Sequence, residues 1–163
     1  MSQDELIEGF RARILERKPL RIRGGGSKDF YGGPLAGELL DTRSHAGIVN
    51  YEPTELVVTA RAGTPLAELE SALAARRQFL ACEPPNFAAA TMGGAVAAGL
   101  SGPRRAAVGS LRDFILGVKV MDGEGRIHRF GGEVMKNVAG FDVSRLLTGS
   151  LGTLGLILEV SLK

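Results

Sequence analysis

Residues 20–28 read LRIRGGGSK, in which a short alternation of apolar and basic residues continues directly into three glycines. The alternation in Leu20–Arg23 predicts a β-strand, and no helical period follows it for roughly 35 residues. Backbone amides that no Cβ shields can converge on an anion, so such a loop can bind phosphate without a basic side chain. We therefore interpret residues 24–28 as a candidate cradle for a nucleotide diphosphate.

Two more glycine-rich segments, 91–94 and 149–155, also lie at junctions of predicted regular structure. One such cluster more often marks a turn than a binding site, but three together favour a shared nucleotide site. The common nucleotide motifs are excluded, because the sequence contains no G-x-x-x-x-G-K-[ST] and no G-x-G-x-x-G that opens a helix. Gly24–Gly26 follow a strand without starting a helix, which contradicts a Rossmann or P-loop site.

Hydrophobic periodicity divides the chain into helices and strands without a visible linker or repeat. Predicted helices cover residues 2–17 with a Ser2/Glu5 capping box, a segment opened by Thr64 and Pro65, residues 91–99 capped by Thr91, and a segment after Asp142. Predicted strands cover Leu20–Arg23, Gly47–Tyr51, Leu56–Ala60, Phe114–Met121, Arg126–Phe130 and Thr153–Leu162, with a hairpin turn at Asp122-Gly123. The whole chain is expected to form one compact α+β unit.

Composition and charge narrow the classes of function. A formal net charge of +2 provides no global basic field, which argues against a dedicated nucleic-acid binder. The local basic run from Arg11 to Arg23 fits a solvated helix face followed by a strand. The N-terminus is acidic, and no apolar run approaches the roughly 18 residues of a spanning helix. We expect a cytoplasmic protein without direct membrane insertion, and docking on a membrane complex stays open.

Three side chains suggest chemistry but receive structural interpretations. Cys82 is the single cysteine, which excludes an internal disulfide and any all-cysteine metal or iron–sulfur site, and we expect it to be a small buried residue. His45 is expected in a polar loop and His128 on the outward side of a hairpin strand. Neither histidine has partner spacing for a triad or a metal, so no metal site is predicted.

Five stretches carry a resemblance to a known family in their order and spacing. They are RGGGSK (23–28), EPPN with ATMGGAVAAGLSGPRR (within 83–105), VGSLRDFILGVKVMDGEG (108–125), KNVAGFDVSRLL (136–147) and GSLGTLGLI (149–157). Together they resemble the FAD domain of flavoproteins of the vanillyl-alcohol-oxidase/PCMH type, in particular that of the FAD-binding subunits of bacterial glycolate oxidases. The resemblance implies two α/β lobes, with one small parallel-type sheet and one mostly antiparallel sheet flanked by helices. It also implies that residues 1–163 form one FAD-binding domain and that the C-terminal substrate (cap) domain is absent from this sequence.

The resemblance also implies which residues hold FAD. Gly24, Gly25, Gly26, Ser27 and Lys28 would enclose the pyrophosphate, and Thr91, Met92, Gly93 and Gly94 would bring backbone amides beside the flavin and ribityl chain. Ser101, Gly102, Arg104, Arg105 and Gly109 would line the isoalloxazine side, and Gly152, Thr153, Gly155 and Ile157 would make backbone contacts. No catalytic residue is assigned, although Arg104 and Arg105 are candidates for binding a substrate carboxylate or stabilising reduced flavin, with a solvated turn as the alternative.

Two positions depart from the family pattern. Many members carry a flavin-linked histidine just after the first glycine cluster, where this chain has Ser27 and Lys28. FAD is therefore expected to be bound noncovalently. Leu151 stands where the family motif GSEGTLG has its glutamate, which removes a polar contact.

The implied function is that of the FAD-binding subunit of a flavin-dependent oxidase or dehydrogenase of 2-hydroxy acids such as glycolate. A hydride would pass from the substrate α-carbon to the flavin, and the protein would position the two. A second flavoprotein subunit and an iron–sulfur subunit are the implied partners, and nucleic acid is not one. Two alternatives stay open: a noncatalytic FAD-binding subunit that relays electrons or acts as a scaffold, and a nucleotide-binding regulatory module without flavin.

Overall fold

The computed structural model describes residues 2–133 and 141–163, and its elements follow one another in a mixed order. The helices are α1 (Gln3–Leu15), α2 (Leu66–Ala74), α3 (Met92–Ala98), α4 (Arg105–Val108), α5 (Leu111–Phe114) and α6 (Val143–Leu146). The strands are β1 (Leu20–Arg23), β2 (Glu38–Asp41), β3 (Ile48–Glu52), β4 (Val57–Arg61), β5 (Ile115–Met121), β6 (Ile127–Gly131) and β7 (Leu156–Leu162). Residues 136–140 of the stretch KNVAGFDVSRLL lie outside the described residues.

These strands form two sheets. β1 and β2 pair in parallel, with Leu20 opposite Glu38 and Arg23 opposite Asp41. The other five form an antiparallel sheet in the order β3-β4-β7-β5-β6. The combination of a small parallel sheet, a larger antiparallel sheet and flanking helices confirms the expected α+β class.

β2 is an element that the sequence did not indicate. Its residues, ELLD, lack an apolar alternation, and only Leu40 among them is buried. The segment becomes a strand because β1 supplies the hydrogen-bonding partner that four residues cannot supply alone. The pairing extends past both ends of the strand, since the Glu38 amide donates to the Pro19 carbonyl at 2.9 Å and the Thr42 amide donates to the Arg23 carbonyl at 3.0 Å.

α1 begins with the predicted capping box. The Glu5 amide donates to the Ser2 hydroxyl at 3.2 Å, and the Ser2 amide donates to the Glu5 carboxylate at 2.5 Å. Both bonds satisfy amides that the first helical turn leaves unpaired. The helix ends at Leu15, earlier than the predicted residue 17, where Arg17 adopts a left-handed φ of 58°. Within the described residues, no helix combines the length and the apolar character needed to cross a membrane.

Two apolar clusters pack on the five-stranded sheet. The larger one fills the space between the sheet and helices α2 and α3, and it includes Leu66, Leu69 and Val96. The smaller one consists of Phe10, Leu40, Met121, Leu156 and Leu158. Because Phe10 belongs to α1 and Leu40 to β2, this smaller cluster joins α1 and the small parallel sheet to the five-stranded sheet. It thereby fixes the small parallel sheet beside the edge where the three glycine segments meet.

The β5–β6 hairpin is confirmed, and its turn is stabilised by Asp122. β5 pairs antiparallel with β6, with Val118 opposite Phe130. The Asp122 carboxylate accepts from the Glu124 and Arg126 amides at 2.8 and 2.9 Å, and its other oxygen lies 2.8 Å from His128 Nε2. The His128 hydrogen bond is the first cause that lowers the pKa of Asp122. His128 thus lies on β6 with its side chain partly exposed and stabilises the neighbouring turn.

Two sequence expectations about local structure were wrong. Thr64 does not cap α2, whose N-cap is Pro65 without a side-chain bond. Thr64 is instead fully buried, and its hydroxyl accepts from the Gly47 amide at 2.9 Å and donates to the Gly47 carbonyl at 3.1 Å. β7 begins at Leu156 rather than Thr153, because residues 150–153 are held in a turn by a bond from the Thr153 amide to the Ser150 carbonyl.

His45 does not lie in a polar loop, as the sequence suggested, but in the interior. It is 1% exposed, its ring packs edge-on against Phe10, and its Nδ1 lies 2.6 Å from Oε1 of Gln3. Burial, followed by the positive charge of Arg61, lowers the pKa of the imidazole. A polar side chain that ties the start of α1 to the loop before β3 explains this histidine without a catalytic role.

Candidate functional site

A cleft of about 370 Å³ lies between the small parallel sheet, α3 and the start of β7. All three glycine segments contribute to its walls. Among the sequence-predicted site residues, those that line it are Gly24, Gly25, Gly26, Ser27, Lys28, Thr91, Gly93, Gly94, Gly152, Thr153, Gly155 and Ile157. Segments distant in sequence therefore share one concave site, within the size range of small-molecule pockets.

The loop of residues 24–28 presents unused backbone donors. In the part of the chain that the structure describes, none of the amides of these five residues donates a hydrogen bond. The loop is nevertheless closed, since the Asp29 amide donates to the Gly26 carbonyl at 3.2 Å. Residues 24–28 are half-buried, so their amides can be satisfied by a ligand or by water. This loop is the strongest candidate for binding an anion.

Close contact with a second loop explains why residue 25 is glycine. A Cβ at Gly25 would lie 1.4 Å from the carbonyl oxygen of Ala89, a backbone atom that cannot move aside alone. Gly26 adopts a φ of +71°, which an L side chain rarely tolerates. The side chain that residue 25 lacks would thus point at residues 86–90 and not into the cleft. A larger residue at position 25 would therefore displace the loop from residues 86–90 and would not block the diphosphate directly.

The first turn of α3 contributes to the cleft in a different way from the one expected. The amides of Met92 and Gly93 already donate to the carbonyls of Thr64 and Ala62, both at 2.8 Å, and the Gly94 amide donates to the Thr91 hydroxyl at 3.3 Å. These donors are consequently engaged within the protein. The glycines let the helix approach β4 closely, since a Cβ at Gly93 would lie 2.6 Å from the Ala62 side chain. Met92 is buried in the core and does not line the cleft.

The turn before β7 forms the opposite wall. The Leu151 amide donates to the Ala97 carbonyl at 2.9 Å, which fixes the turn on α3. Within the described residues the Gly152 amide donates no hydrogen bond, so it is a further donor available to a ligand. Leu151, which replaces the family's glutamate, lines the cleft with a half-exposed apolar side chain.

The segment of residues 101–109 is not brought into this cleft. The residues expected on the isoalloxazine side, Ser101, Gly102, Arg104, Arg105 and Gly109, are all absent from its lining. The Ser101 hydroxyl accepts from the Leu111 amide at 2.9 Å, and the Arg104 guanidinium lies 5.0 Å from the centre of the Phe79 ring. The structure therefore gives these residues local structural roles, and their contact with the flavin stays a prediction.

The charges in the cleft favour an anionic ligand. Among the residues that the structure describes, Arg21, Arg23 and Lys28 line it with one carboxylate, that of Asp29, which pairs with Arg23 at 2.8 Å. Lys28 has no carboxylate partner among the described residues; its Nζ lies 3.4 Å from the Ser27 hydroxyl and 5.7 Å from the centre of the Phe87 ring. Burial lowers the pKa of Lys28. An uncompensated cation beside free amides suits a phosphate group.

Arg21, Arg23 and Asp29 are cleft residues that sequence reasoning missed. The two arginines were assigned to a solvated face because they alternate with Leu20 and Ile22. Their position immediately before a glycine cluster was the available signal. The Nε atom of Arg21 is buried without a hydrogen-bond partner among the described residues, which suits a side chain that faces a ligand site.

Cys82 is a buried structural residue, as expected. It is 1% exposed, and burial raises the pKa of its thiol to about 11. At pH 8 only about one thiol in a thousand would therefore be ionised, and thiolate is the reactive form.

We expect a disulfide reagent such as Ellman's to leave Cys82 of the folded protein unlabelled over minutes and to label it at once in denaturant. Rapid labelling of the folded protein would show that this residue is accessible after all.

Comparison with known proteins agrees with a nucleotide cleft of this kind. Residues 2–131 match the family described as FAD binding domain. The chain is 55% identical over 159 residues to the glycolate oxidase subunit GlcE of Escherichia coli (strain K12), an alignment that covers 97% of this chain and 45% of that protein. It is 32% identical to the glycolate oxidase subunit GlcD of Bacillus subtilis (strain 168), over 90% of this chain and 32% of that protein. It is also 32% identical to a D-lactate dehydrogenase of Archaeoglobus fulgidus, over 89% of this chain and 33% of that protein.

The chain thus spans less than half the length of these relatives. The match covers α1 through β6 and includes the first two glycine segments of the cleft. Within the described part of the chain, amides and a lysine without partners and the close loop contacts fit the diphosphate of a dinucleotide. The family match decides in favour of FAD over a nucleotide without flavin. This chain belongs to the FAD binding domain family.

Proposed function

We propose that this chain is the FAD-binding part of a flavin-dependent oxidoreductase of 2-hydroxy acids, with glycolate as the type of substrate. The observation that carries the proposal is the loop of residues 24–28, whose free amides and Lys28 face a cleft built from all three glycine segments. The names of the relatives, glycolate oxidase subunits and a D-lactate dehydrogenase, support the substrate class.

In this proposal the chain binds and orients the cofactor, whose flavin would accept the hydride. The amides of residues 24–28 donate to the diphosphate, and Lys28 leaves the Phe87 ring to pair with it. Each charge-assisted hydrogen bond of this kind contributes about 1.5–3 kcal/mol. The predicted residues that line the rest of the cleft, Thr91, Gly93, Gly94, Gly152, Thr153, Gly155 and Ile157, contact other parts of the cofactor. Contact of Ser101, Gly102, Arg104, Arg105 and Gly109 with the flavin would have to occur outside this cleft. Because Ser27 and Lys28 occupy the place of the family's flavin-linked histidine, FAD binds noncovalently.

In this proposal, groups outside residues 1–163 bind the substrate and supply the base. We propose that residues 1–163 form one FAD-binding domain and that a cap domain and partner subunits complete the active site. The relatives named as glycolate oxidase subunits support a complex of several subunits, and a second flavoprotein is one of the proposed partners. An iron–sulfur subunit is a further proposed partner, and any cluster would belong to it, since the single cysteine of this sequence cannot hold one. We propose a cytoplasmic location, with attachment to a membrane only through that complex.

A noncatalytic FAD-binding subunit, acting as an electron relay or a scaffold, is the second candidate. One observation favours it: among the described residues, no histidine or cysteine lines the cleft, and its single carboxylate is paired with Arg23. Proton abstraction from a hydroxy acid needs a base within reach of the substrate. Either a partner supplies that base to this flavin, or catalysis takes place on the partner's own flavin.

Titration with FAD and then with substrate distinguishes the two. We expect the purified chain to bind FAD with a shift in the visible flavin spectrum, and brief acid or heat treatment to release all of it. Adding the partner subunits and glycolate under anaerobic conditions should then bleach the flavin bound to this chain. A partner prepared without its own FAD provides the matched control, because any bleaching then reports on this flavin alone.

Each outcome favours one reading. A preparation that stays colourless after FAD addition would contradict the cofactor site. Bleaching of this flavin only when the partner carries its own FAD would reject catalysis here and support the relay. Binding of FAD without bleaching in either preparation would support the scaffold. Flavin that stays with the chain after denaturation would contradict noncovalent binding.

A further inference from the structure

The loop of free amides is closed across its base by one ion pair. Arg23, the last residue of β1, donates from Nε to Oδ2 of Asp29 at 2.8 Å, and both side chains are about one third exposed. The pair therefore connects the residue before the loop 24–28 to the residue after it. The neighbouring strand pairing holds Arg23 firmly, since its carbonyl accepts from the Thr42 amide at 3.0 Å.

The Arg23 side chain also occupies the space enclosed by the loop. A Cβ on Gly26 would lie 2.0 Å from an outer nitrogen of the Arg23 guanidinium and 2.3 Å from its central carbon. The backbone of Gly26 thus rests directly on the guanidinium. Since this planar group presents its donors in a fixed geometry, it can support a loop more rigidly than a lysine ammonium can.

A loop whose amides lack partners has a reason to rearrange, because unpaired donors gain free energy by finding acceptors. Here the Arg23 side chain lies inside the loop, and the Asp29 side chain holds the end of the loop through its ion pair with Arg23. We propose that the Arg23–Asp29 pair is a positioning device, which holds the amides of residues 24–28 in the arrangement that receives the diphosphate of FAD. This inference rests on the proposed cofactor site and adds to it two residues that touch the loop instead of the ligand.

A purely electrostatic role and a positioning role of Asp29 predict opposite changes in FAD affinity for Asp29→Ala. If Asp29 acted only through its charge, removing a carboxylate from an anion site would strengthen FAD binding. If it acts by holding the loop, Asp29→Ala should weaken binding of both FAD and ADP, roughly ten- to a hundredfold, the range of a lost charged hydrogen bond. ADP is included because it carries the diphosphate without the flavin.

Three further variants complete the experiment. Asp29→Glu keeps the carboxylate and should recover most of the affinity. Arg23→Lys keeps the charge without the planar group and should weaken binding of both ligands, so it carries the test if Asp29→Ala fails to fold. Glu38→Ala is the matched control, because it removes the 2.8 Å pair between Arg13 and Glu38 outside the cleft and should leave both affinities unchanged. Thermal unfolding of the apo forms should shift by no more than about 2 °C.

The affinities are measured by fluorescence titration with FAD and by displacement with ADP. Unchanged or tighter binding in Asp29→Ala, or full affinity in Arg23→Lys, would overturn the positioning role. A large loss of apo thermal stability together with affinity, without recovery in Asp29→Glu, would also overturn it, since the pair would then only stabilise the fold. If the unaltered chain binds neither FAD nor ADP, the cofactor site itself fails, and that result is separate from any variant.

Discussion

Replacing Gly25 with valine should lower the affinity for FAD by at least about a hundredfold, equivalent to two lost charge-assisted hydrogen bonds. The new Cβ would lie 1.4 Å from the Ala89 carbonyl oxygen, so the loop of residues 24–28 must move away from residues 86–90. That movement displaces the amides that face the cleft. Isothermal titration with FAD, together with circular dichroism of the apo protein, measures the loss and shows that the fold persists.

Gly123→Val is the matched control for this experiment. Gly123 lies in the β5–β6 turn, where an added Cβ meets nothing within 4 Å. Like Gly25 it does not adopt a positive φ, so the two substitutions differ in the space around them and not in backbone strain. Full affinity in the control and its loss in Gly25→Val is the expected pair of results. Equal affinity in both variants would mean that the diphosphate is held elsewhere.

Leu158→Ala should destabilise the folded chain by about 2–5 kcal/mol. Leu158 is fully buried on β7 and belongs to the cluster that joins α1 and β2 to the main sheet. Truncation leaves a cavity between the five-stranded sheet and the elements α1 and β2. The cavity can close only if α1 and β2 move toward the sheet, because the interior is closely packed. For a chain of this size the thermal midpoint should fall by roughly 5–15 °C, measured by calorimetry or circular dichroism.

Leu154→Ala serves as the comparison, because Leu154 is 52% exposed in the turn before β7. We expect a change of less than about 0.5 kcal/mol at this position. If the two variants lose the same stability, the smaller cluster does not hold the lobes together. Added FAD should raise the midpoint of both proteins through its binding free energy.

Local signals allowed much of the fold to be predicted. The capping box of Ser2 and Glu5, the Thr91 cap and the hairpin at Asp122 each involve residues a few positions apart, and all three are present. The predictions failed where a distant partner decided the outcome. β2 exists because β1 pairs with it, and Thr64 bonds to Gly47 in preference to the helix that follows it.

The candidate site shows the same division. The sequence predicted that residues 24–28 form a loop with accessible amides, and the structure describes amides without partners there. It assigned the same role to Met92 and Gly93, yet their amides are engaged by Thr64 and Ala62. Residue 93 is glycine because the helix lies close to Ala62, and not because a ligand binds there. The sequence alone cannot distinguish these two causes.

By itself the sequence determined the α+β class, the positions of most helices and strands, and the three glycine segments, because periodicity, caps and turns depend on neighbouring residues. Only the tertiary structure decided that these segments share one cleft, that Arg23 and Asp29 close the loop, and that residues 101–109 lie outside the cleft lining. The reason is physical: which donors stay free, and which charges meet, depends on contacts between residues far apart in the chain, and those contacts exist only after folding.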